Sequence, residues 1–431
     1  MRESEPDELK RRALRALDTG EVARLCSALV RAPSENPPGD VFLAAETALS
    51  WLSERGHKVA VHEPEKGRVN LLARVGDGRP CLALMGHLDV VPAGDRGRWS
   101  FDPFCGEIQG GRILGRGATD MKGGVACIMA VFHALSGLVD ELGGSLVLAL
   151  VCDEETGGHL GTGWLVRQGL LSDVDACLIA EPTTPYMAVL GERGVCWLRL
   201  RARGRPAHGS VPSLGLNAIE LMMDALRAIK ELSGPVGELP DDVSHVLTEM
   251  RERRSDLKSI LGLSGDRLEA YLTALCSLTI NIGVVRGGTK VNIVPDECEA
   301  EVDVRIPWGS SAAGVLEMAR RALSTLAEHV EIGAANLIEP SFTRPAEAIC
   351  QVLDAAAEEV LGRSLAHALM PATTDAHYLR ALGVPTVVYG PGLPRLAHSH
   401  DEWVPVRHLE LASRVICLTA IRFLSAGGAG D

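Results

Sequence analysis

The chain lacks the features that a secreted, membrane-spanning or nucleic-acid-binding protein would need. Its 43 Lys+Arg against 56 Asp+Glu give a formal charge of -13, so the basic footprint that displaces counterions from phosphates is missing. No stretch reaches the roughly 18 apolar residues of a membrane span. The longest candidate, GVACIMAVFHALSGLV, holds a histidine and the small residues of a core helix. The N-terminal run MRESEPDELKRRALRALD has neither an apolar h-region nor a cleavage site, and it predicts an exposed helix rather than a secretory signal. Eleven cysteines make an odd number, lie in apolar surroundings and form no C-x-x-C pair. They read as reduced core residues of a cytoplasmic protein. Internal repeats are missing, and the only low-complexity stretch is the small-residue tail after Ser425.

What is present is a long, well-filled sequence. At 431 residues and 46% hydrophobic content, it can build one large core or two moderate ones. Helical periodicity covers 20–56. Short β-rich runs follow, HKVAVHEP, NLLARVG, PCLALMGHLDVVP, SLVLALVC and DACLIAEP, with the helical MKGGVACIMAVFHALSGL between the third and fourth. Strands alternating with helices predict an α/β sheet covered on both faces, with chemistry at the carboxyl ends of its strands. From about residue 191 the period changes to two in GVCWLRLRARG, as in a sheet with one wet face. A helix, the strands SLTINIGVVRGG with TKVNIVP and ECEAEVDVRIP, a helix over about 311–329 and the strand VEIGAANLI follow. That β-α-β-β-α-β order predicts an inserted ferredoxin-like unit. The polar stretch 234–278 is expected to decorate the insert as helices. Residues 1–192 and 341–431 would then form a catalytic domain, and 193–340 the insert.

Acidic and imidazole groups gather where strands leave the first sheet. His87 and Asp89 in MGHLDVVP share a strand face. The pair suits either a structural hydrogen bond or a metal-binding histidine oriented by its neighbour. Asp120 in GRGATDMKGG suits either a helix N-cap or a carboxylate bridging two cations. In SLVLALVCDEETGG, Glu154 and Glu155 sit at the end of an apolar run, where adjacent acids repel unless something neutralises them. Glu181 ends another strand, and His398 and His400 in LAHSHDEWVP lie beside Asp401 and Glu402.

Taken together, HLDVVP, WSFDPFCGEIQGGRILGRGATDMKGG, DEETGG, AEPT and AHSHDEWVP resemble, in order and separation, the M20 family of di-metal amidohydrolases. That family includes acetylornithine deacetylase, succinyl-diaminopimelate desuccinylase, aminoacylase and a glutamate-releasing carboxypeptidase. The resemblance spans about 21–424. It implies that Asp120 bridges two divalent ions, zinc first with cobalt or manganese possible, completed by His87 and Glu181 on one side and Glu155 and His398 on the other. It makes Asp89 the partner of His87, Glu154 the general base, and the peptide after Asp120 cis. It leaves His400 outside the ligand set.

In the insert the resemblance assigns His208 of RPAHGSVP to oxyanion stabilisation in the site of a partner subunit, which implies a homodimer. Asn292 and Arg305 match substrate-contacting positions. Two departures stand out: His377 occupies a place where relatives often carry arginine, and compact relatives lack the 234–278 stretch. The expected activity is hydrolysis of an N-acyl amino acid or related small molecule, Glu181 leaning toward deacylases. The rivals are a metallo-exopeptidase and a metal-free binding protein that retains the fold.

Overall fold

The computed structural model describes residues 5–235 and 237–425, with side chains from residue 8 onward; the small-residue tail lies outside them. The most apolar strands, Cys81–His87 and Ser145–Val151, are buried along their whole length and run parallel at the centre of a nine-stranded mixed sheet. Ala176–Ile179 and Thr386–Val388 extend this parallel block. Val59–Glu65 and Arg68–Val75 close one edge antiparallel, and Met187–Glu192 pairs with Ser341–Phe342 and Ala366–Met370 at the other. Helices cover the sheet. The Gly123–Ser136 helix contributes a nearly continuous buried surface and packs against the Val406–Ser425 helix.

Sheet membership changes twice along the chain. Gly194–Arg203 starts an antiparallel sheet with Ser277–Gly287, Glu297–Ile306 and Val330–Ile338. Its order, fourth-first-third-second with Gly234–Pro235 added at one edge, is the ferredoxin-like pattern. One face packs the helices Ala218–Lys230 and Ala312–Ala322 around Leu198, Leu200, Met222, Ile229, Val302 and Val315. The alternating burial of Glu297–Ile306 follows its alternating sequence.

Five local expectations are corrected. The 20–56 stretch forms two helices, Thr19–Val30 and Phe42–Glu54, because the connecting 31–41 contains three prolines, which cannot continue a helix. The N-terminal helix Glu5–Ala16 is not fully exposed: Ala13 is buried, and the helix touches Val406–Ser425. The 311–329 helix stops at Ala322 and gives way to a short 3-10 turn, Ser324–Leu326. TKVNIVP is a loop with a single bridge from Ile293 to His208. Finally, 234–278 does not decorate the insert. Its helices Asp241–Glu252, Arg254–Leu261 and Gly265–Leu275 bury Val243, Val246, Leu247, Met250, Leu257 and Leu272 in the main core. The helical spacing of those apolar residues gives the stretch a face to bury, and the insert's own helices already cover the inner face of its sheet.

Candidate metal centre

Neighbouring parallel strands end on one side of the main sheet: His87, Glu154–Glu155 and Glu181 end or follow three of them, His398 lies in the loop after Thr386–Val388, and Asp120 precedes the Gly123–Ser136 helix. His87 is the last residue of its strand and 1% exposed. Its Nδ1 lies 2.9 Å from the Asp89 carbonyl oxygen and 3.5 Å from Asp89 Oδ1, which turns Nε2 toward the sheet end. That buried Nε2 has no hydrogen-bond partner. It instead faces Asp120 Oδ1 at 3.4 Å and Glu181 Oε1 at 3.5 Å. On the other side, His398 Nε2 lies 3.3 Å from Asp120 Oδ2 and 3.2 Å from Glu155 Oε2. Ligand atoms about 2.1 Å from a tetrahedral ion stand about 3.4 Å apart, so both spacings suit an ion. The two triads, His87–Asp120–Glu181 and Asp120–Glu155–His398, each hold their ligand atoms within 4.8 Å of one another. Asp120 belongs to both and offers a different oxygen to each. The donor set of imidazole and carboxylate suits a divalent ion such as zinc.

The backbone explains how Asp120 reaches this position. It lies at a kink between helical turns, and its peptide to Met121 is cis. Gly124 permits the close approach of the following helix: a Cβ there would lie 1.8 Å from the Ala180 carbonyl oxygen, next to Glu181. Glu402, fully buried, accepts hydrogen bonds from the Thr119 and Asp120 amides at 2.9 and 3.0 Å and pairs with buried Arg116. Thus the acidic pair in LAHSHDEWVP supplies no ligand. Glu402 fixes the backbone at Asp120, and Asp401 accepts from the Ser100 amide and hydroxyl. His400 packs edge-on against Trp99.

The three consecutive acids diverge. Asp153 takes a left-handed conformation with φ 64° and accepts from the Leu160 and Gly161 amides, closing its own loop. Glu155 turns to His398. Glu154 Oε2 stands 3.9 Å from His87 Nε2 and belongs to neither triad. Asp89 holds the turn by accepting from the Glu154 and Glu155 amides, each at 3.2 Å, and from Asn36 Nδ2 at 2.9 Å.

The crowding of these groups also shifts their titration. Burial pushes Glu154 and Glu181 well above the usual carboxylate range and raises Glu155 as well. Burial opposes charge on His87, yet the surrounding carboxylates, Glu181 foremost, hold it protonated well above its ordinary range. Hydrogen bonds to Asp120 and Glu155 raise His398 to about 10. The metal-free cluster therefore retains protons where divalent charge would otherwise sit.

A cavity of about 560 Å³ opens from this cluster and includes Arg305 and His377 in its wall. Burial lowers His377 to about 4, so it is a neutral group there. His208 and Asn292 are exposed on the insert and lie outside the cavity of their own chain; His208 Nδ1 contacts Ser210 Oγ at 2.7 Å. Sequence reasoning missed Glu402 and Asn36 as supports. It also missed Asp375, which lines the cavity, accepts from Thr162 Oγ1 at 2.7 Å and is pushed by burial up to about 7. The TTDAHY motif was the available signal for Asp375. Nothing local marks Asn36.

A family model described as peptidase family M20/M25/M40 matches residues 83–422. The chain is 30% identical over 347 residues to a probable succinyl-diaminopimelate desuccinylase of Staphylococcus aureus (strain MSSA476), covering 78% of this chain and 82% of the other. It is 30% identical over 391 residues to the succinyl-diaminopimelate desuccinylase of Rhodospirillum centenum, covering 88% and 92%. Among solved structures, the M20 family metallo-carboxypeptidase Sso-CP2 of Sulfolobus solfataricus superposes with TM-score 0.79 at 19% identity, covering 94% of this chain and 99% of that one.

Proposed function

The chain belongs to peptidase family M20/M25/M40, and on that premise we propose that it is a two-metal amidohydrolase cleaving an N-acyl amino acid or a related small molecule. The observation that carries this reading is Asp120, whose two oxygens face two separate imidazole–carboxylate sets. His87 and Glu181 would hold one ion with Asp120, and Glu155 and His398 the other. Bound there, divalent ions supply the polarisation of the scissile carbonyl and the acidification of a water. Zinc suits the donors best, with cobalt or manganese able to use the same set.

The protein's own groups perform the proton transfers. Glu154 is next to the triads but free of them, and its buried carboxylate is held above the ordinary range, so it can both take a proton and give it back. It accepts the proton of the attacking water as the C–O bond forms, and returns it to the departing amine nitrogen as the C–N bond breaks. Asp89 fixes the His87 ring and the turn from which Glu154 projects. Arg305 in the cavity wall offers a guanidinium fork for the amino-acid carboxylate.

His208 and Asn292, exposed on the insert, would complete the site of a second copy, which makes the working unit a homodimer joined through the insert. We divide the chain into a catalytic domain, 1–192 and 341–431, and the insert, 193–340, with the reservation that the three helices within 237–276 pack with the catalytic core. No helix among the described residues is long and apolar enough to cross a membrane, and all eleven cysteines are free; a cytoplasmic location fits both.

The test is a panel of acetyl- and succinyl-amino acids and dipeptides given to zinc- or cobalt-loaded protein, with metal content measured alongside. Amide hydrolysis at two ions per chain supports the reading. Turnover of dipeptides only would move it to an exopeptidase, and absence of metal and activity together would return it to a binding protein. Mixing His208→Ala with Glu154→Gln protein should regain activity through hybrid dimers; no recovery would place His208 outside the partner's site.

A further inference from the structure

The two candidate ligand sets are not held alike. The His87 side chain is 1% exposed and its Nδ1 is fixed by Asp89. The His398 side chain is 56% exposed, and among the described residues no hydrogen bond fixes its Nδ1. His398 also has a left-handed backbone, φ 61°, which a residue other than glycine keeps only where its surroundings impose it. From Leu393 to Ser399 the hydrogen bonds of the loop are internal: the amides of Leu396, Ala397 and Ser399 donate to the carbonyls of Leu393, Pro394 and Leu396, and the Ser399 hydroxyl donates to Leu396 as well. The aim of His398 therefore depends on what packs against this loop.

The helix Arg254–Leu261 does so, meeting the short turn Pro394–Leu396. Gly262 caps that helix in the left-handed conformation, φ 66°, and a Cβ there would lie 2.8 Å from Arg395 Cδ. The glycine thus serves both the cap and the close approach of the arginine stem. Leu261 and Leu263 on either side share the cavity wall with Pro394, Ala397 and His398. Behind this contact the helices of 237–276 are anchored to the catalytic core. Tyr271 donates its hydroxyl to the Leu369 carbonyl at 3.3 Å, Arg253 donates to the carbonyls of Leu365 and Ser364, and Arg363 pairs with Asp256 at 2.8 Å. His367 bridges Asp354 at 3.0 Å and Glu249 at 3.5 Å. Burial opposes its charge, yet hydrogen bonds to both carboxylates raise it to about 9, so this clip stays charged at neutral pH.

Resting on the two-metal reading above, we propose that the helices of 237–276 are a positioning element for one of the two metal sites: the helix end at Gly262 holds the Arg395 turn and, through it, sets His398. The ion of Asp120, Glu155 and His398 depends on this buttress. The ion of His87, Asp120 and Glu181, whose histidine is fixed within the central sheet, does not.

The test titrates zinc by calorimetry into chelator-stripped full-length protein, with metal content measured alongside. Gly262→Leu drives a side chain into the space of Arg395; it should weaken one ion about 10- to 100-fold and leave the other within about threefold, matching the ion that Glu155→Gln releases. Gly362→Leu is the control. Gly362 caps the Ala348–Leu361 helix in the same conformation, φ 67°, with nothing within 4 Å of an added Cβ, so it carries the backbone strain without the contact and should leave both ions unchanged. Equal weakening of both ions by Gly262→Leu, no weakening, or an equal effect of the control overturns the proposal. Should Gly262→Leu not fold, Arg395→Ala at an exposed position gives a second readout. Hydrogen exchange of the metal-free variant should accelerate at least about tenfold over 393–400 and stay unchanged over 81–87; a uniform change or none overturns the proposal. If the unsubstituted protein binds fewer than two ions, the two-metal reading fails, and exchange alone decides the buttress: selective acceleration of 393–400 retains it, a uniform or absent change overturns it.

Discussion

Stripping the ions with a chelator and following thermal stability from pH 5 to pH 8 tests the charge balance of the centre. Asp375 shows the magnitude. Burial raises its carboxyl from an ordinary value near 3.9 to about 7. A folded-state value above the unfolded one means that the folded chain binds the extra proton. That contribution is complete below about pH 4 and disappears as pH climbs through 7. Between pH 5 and pH 8 this group alone removes about 2–3 kcal/mol. Glu154, Glu155 and Glu181, raised by burial, act in the same direction. So do His87 and His398, raised by their carboxylate neighbours. Asp120 is the exception: burial pushes it up, but hydrogen bonds from His398 and His87 pull it below the usual carboxylate range. Its contribution is therefore complete above about pH 4 and constant across the window. At about 2.1 cal/mol/K of unfolding entropy per residue, each kcal/mol moves the Tm of a chain this long by about 1 °C. The metal-free protein should accordingly lose more than the roughly 2–3 °C that Asp375 contributes between pH 5 and pH 8, while the loaded protein, with its ligand carboxylates held ionised, loses only about the Asp375 part. Differential scanning calorimetry of both forms measures the gap. A gap that stays constant or narrows as pH rises would refute the claim that these carboxylates await cations.

Glu154→Gln should retain two ions by elemental analysis and lose about 10²- to 10⁴-fold in turnover, whereas Glu155→Gln should lose one ion; the reverse pattern would exchange their roles. Glu402→Ala leaves Arg116 buried without its partner and should cost about 3–5 kcal/mol in denaturant unfolding, together with about 10- to 100-fold in metal affinity. Gly124→Ala forces a Cβ to within 1.8 Å of the Ala180 carbonyl, so the helix must shift and metal affinity should fall. Unchanged affinity would show that the Asp120–Glu181 spacing tolerates the movement.

Much of the centre was legible because its chemistry repeats a local pattern. His87, Asp153–Glu155 and Glu181 each follow an apolar run, and such runs become parallel strands whose ends meet on one side. The inserted sheet was legible from its change to period two. What escaped depended on distant partners. Glu402 adjoins two histidines in sequence, but its carboxylate turns inward to the Asp120 amide and Arg116, a supporting role that nothing local marks. The 237–276 helices look polar by composition, and only their apolar spacing hints at burial. The loop at 31–41 broke a periodic run through its prolines, and Asn36 within it reaches Asp89 across more than fifty residues of sequence.

By itself the sequence determined most of the elements, the α/β sheet with a ferredoxin-like insert, and the residue types able to hold two cations, because periodicity and strand-end chemistry are local properties. Tertiary structure decided which oxygen of Asp120 faces which histidine, which of two adjacent glutamates stays free, and which core receives the extra helices. Those outcomes rest on distances of a few ångströms between groups far apart along the chain, and only the packed fold sets such distances.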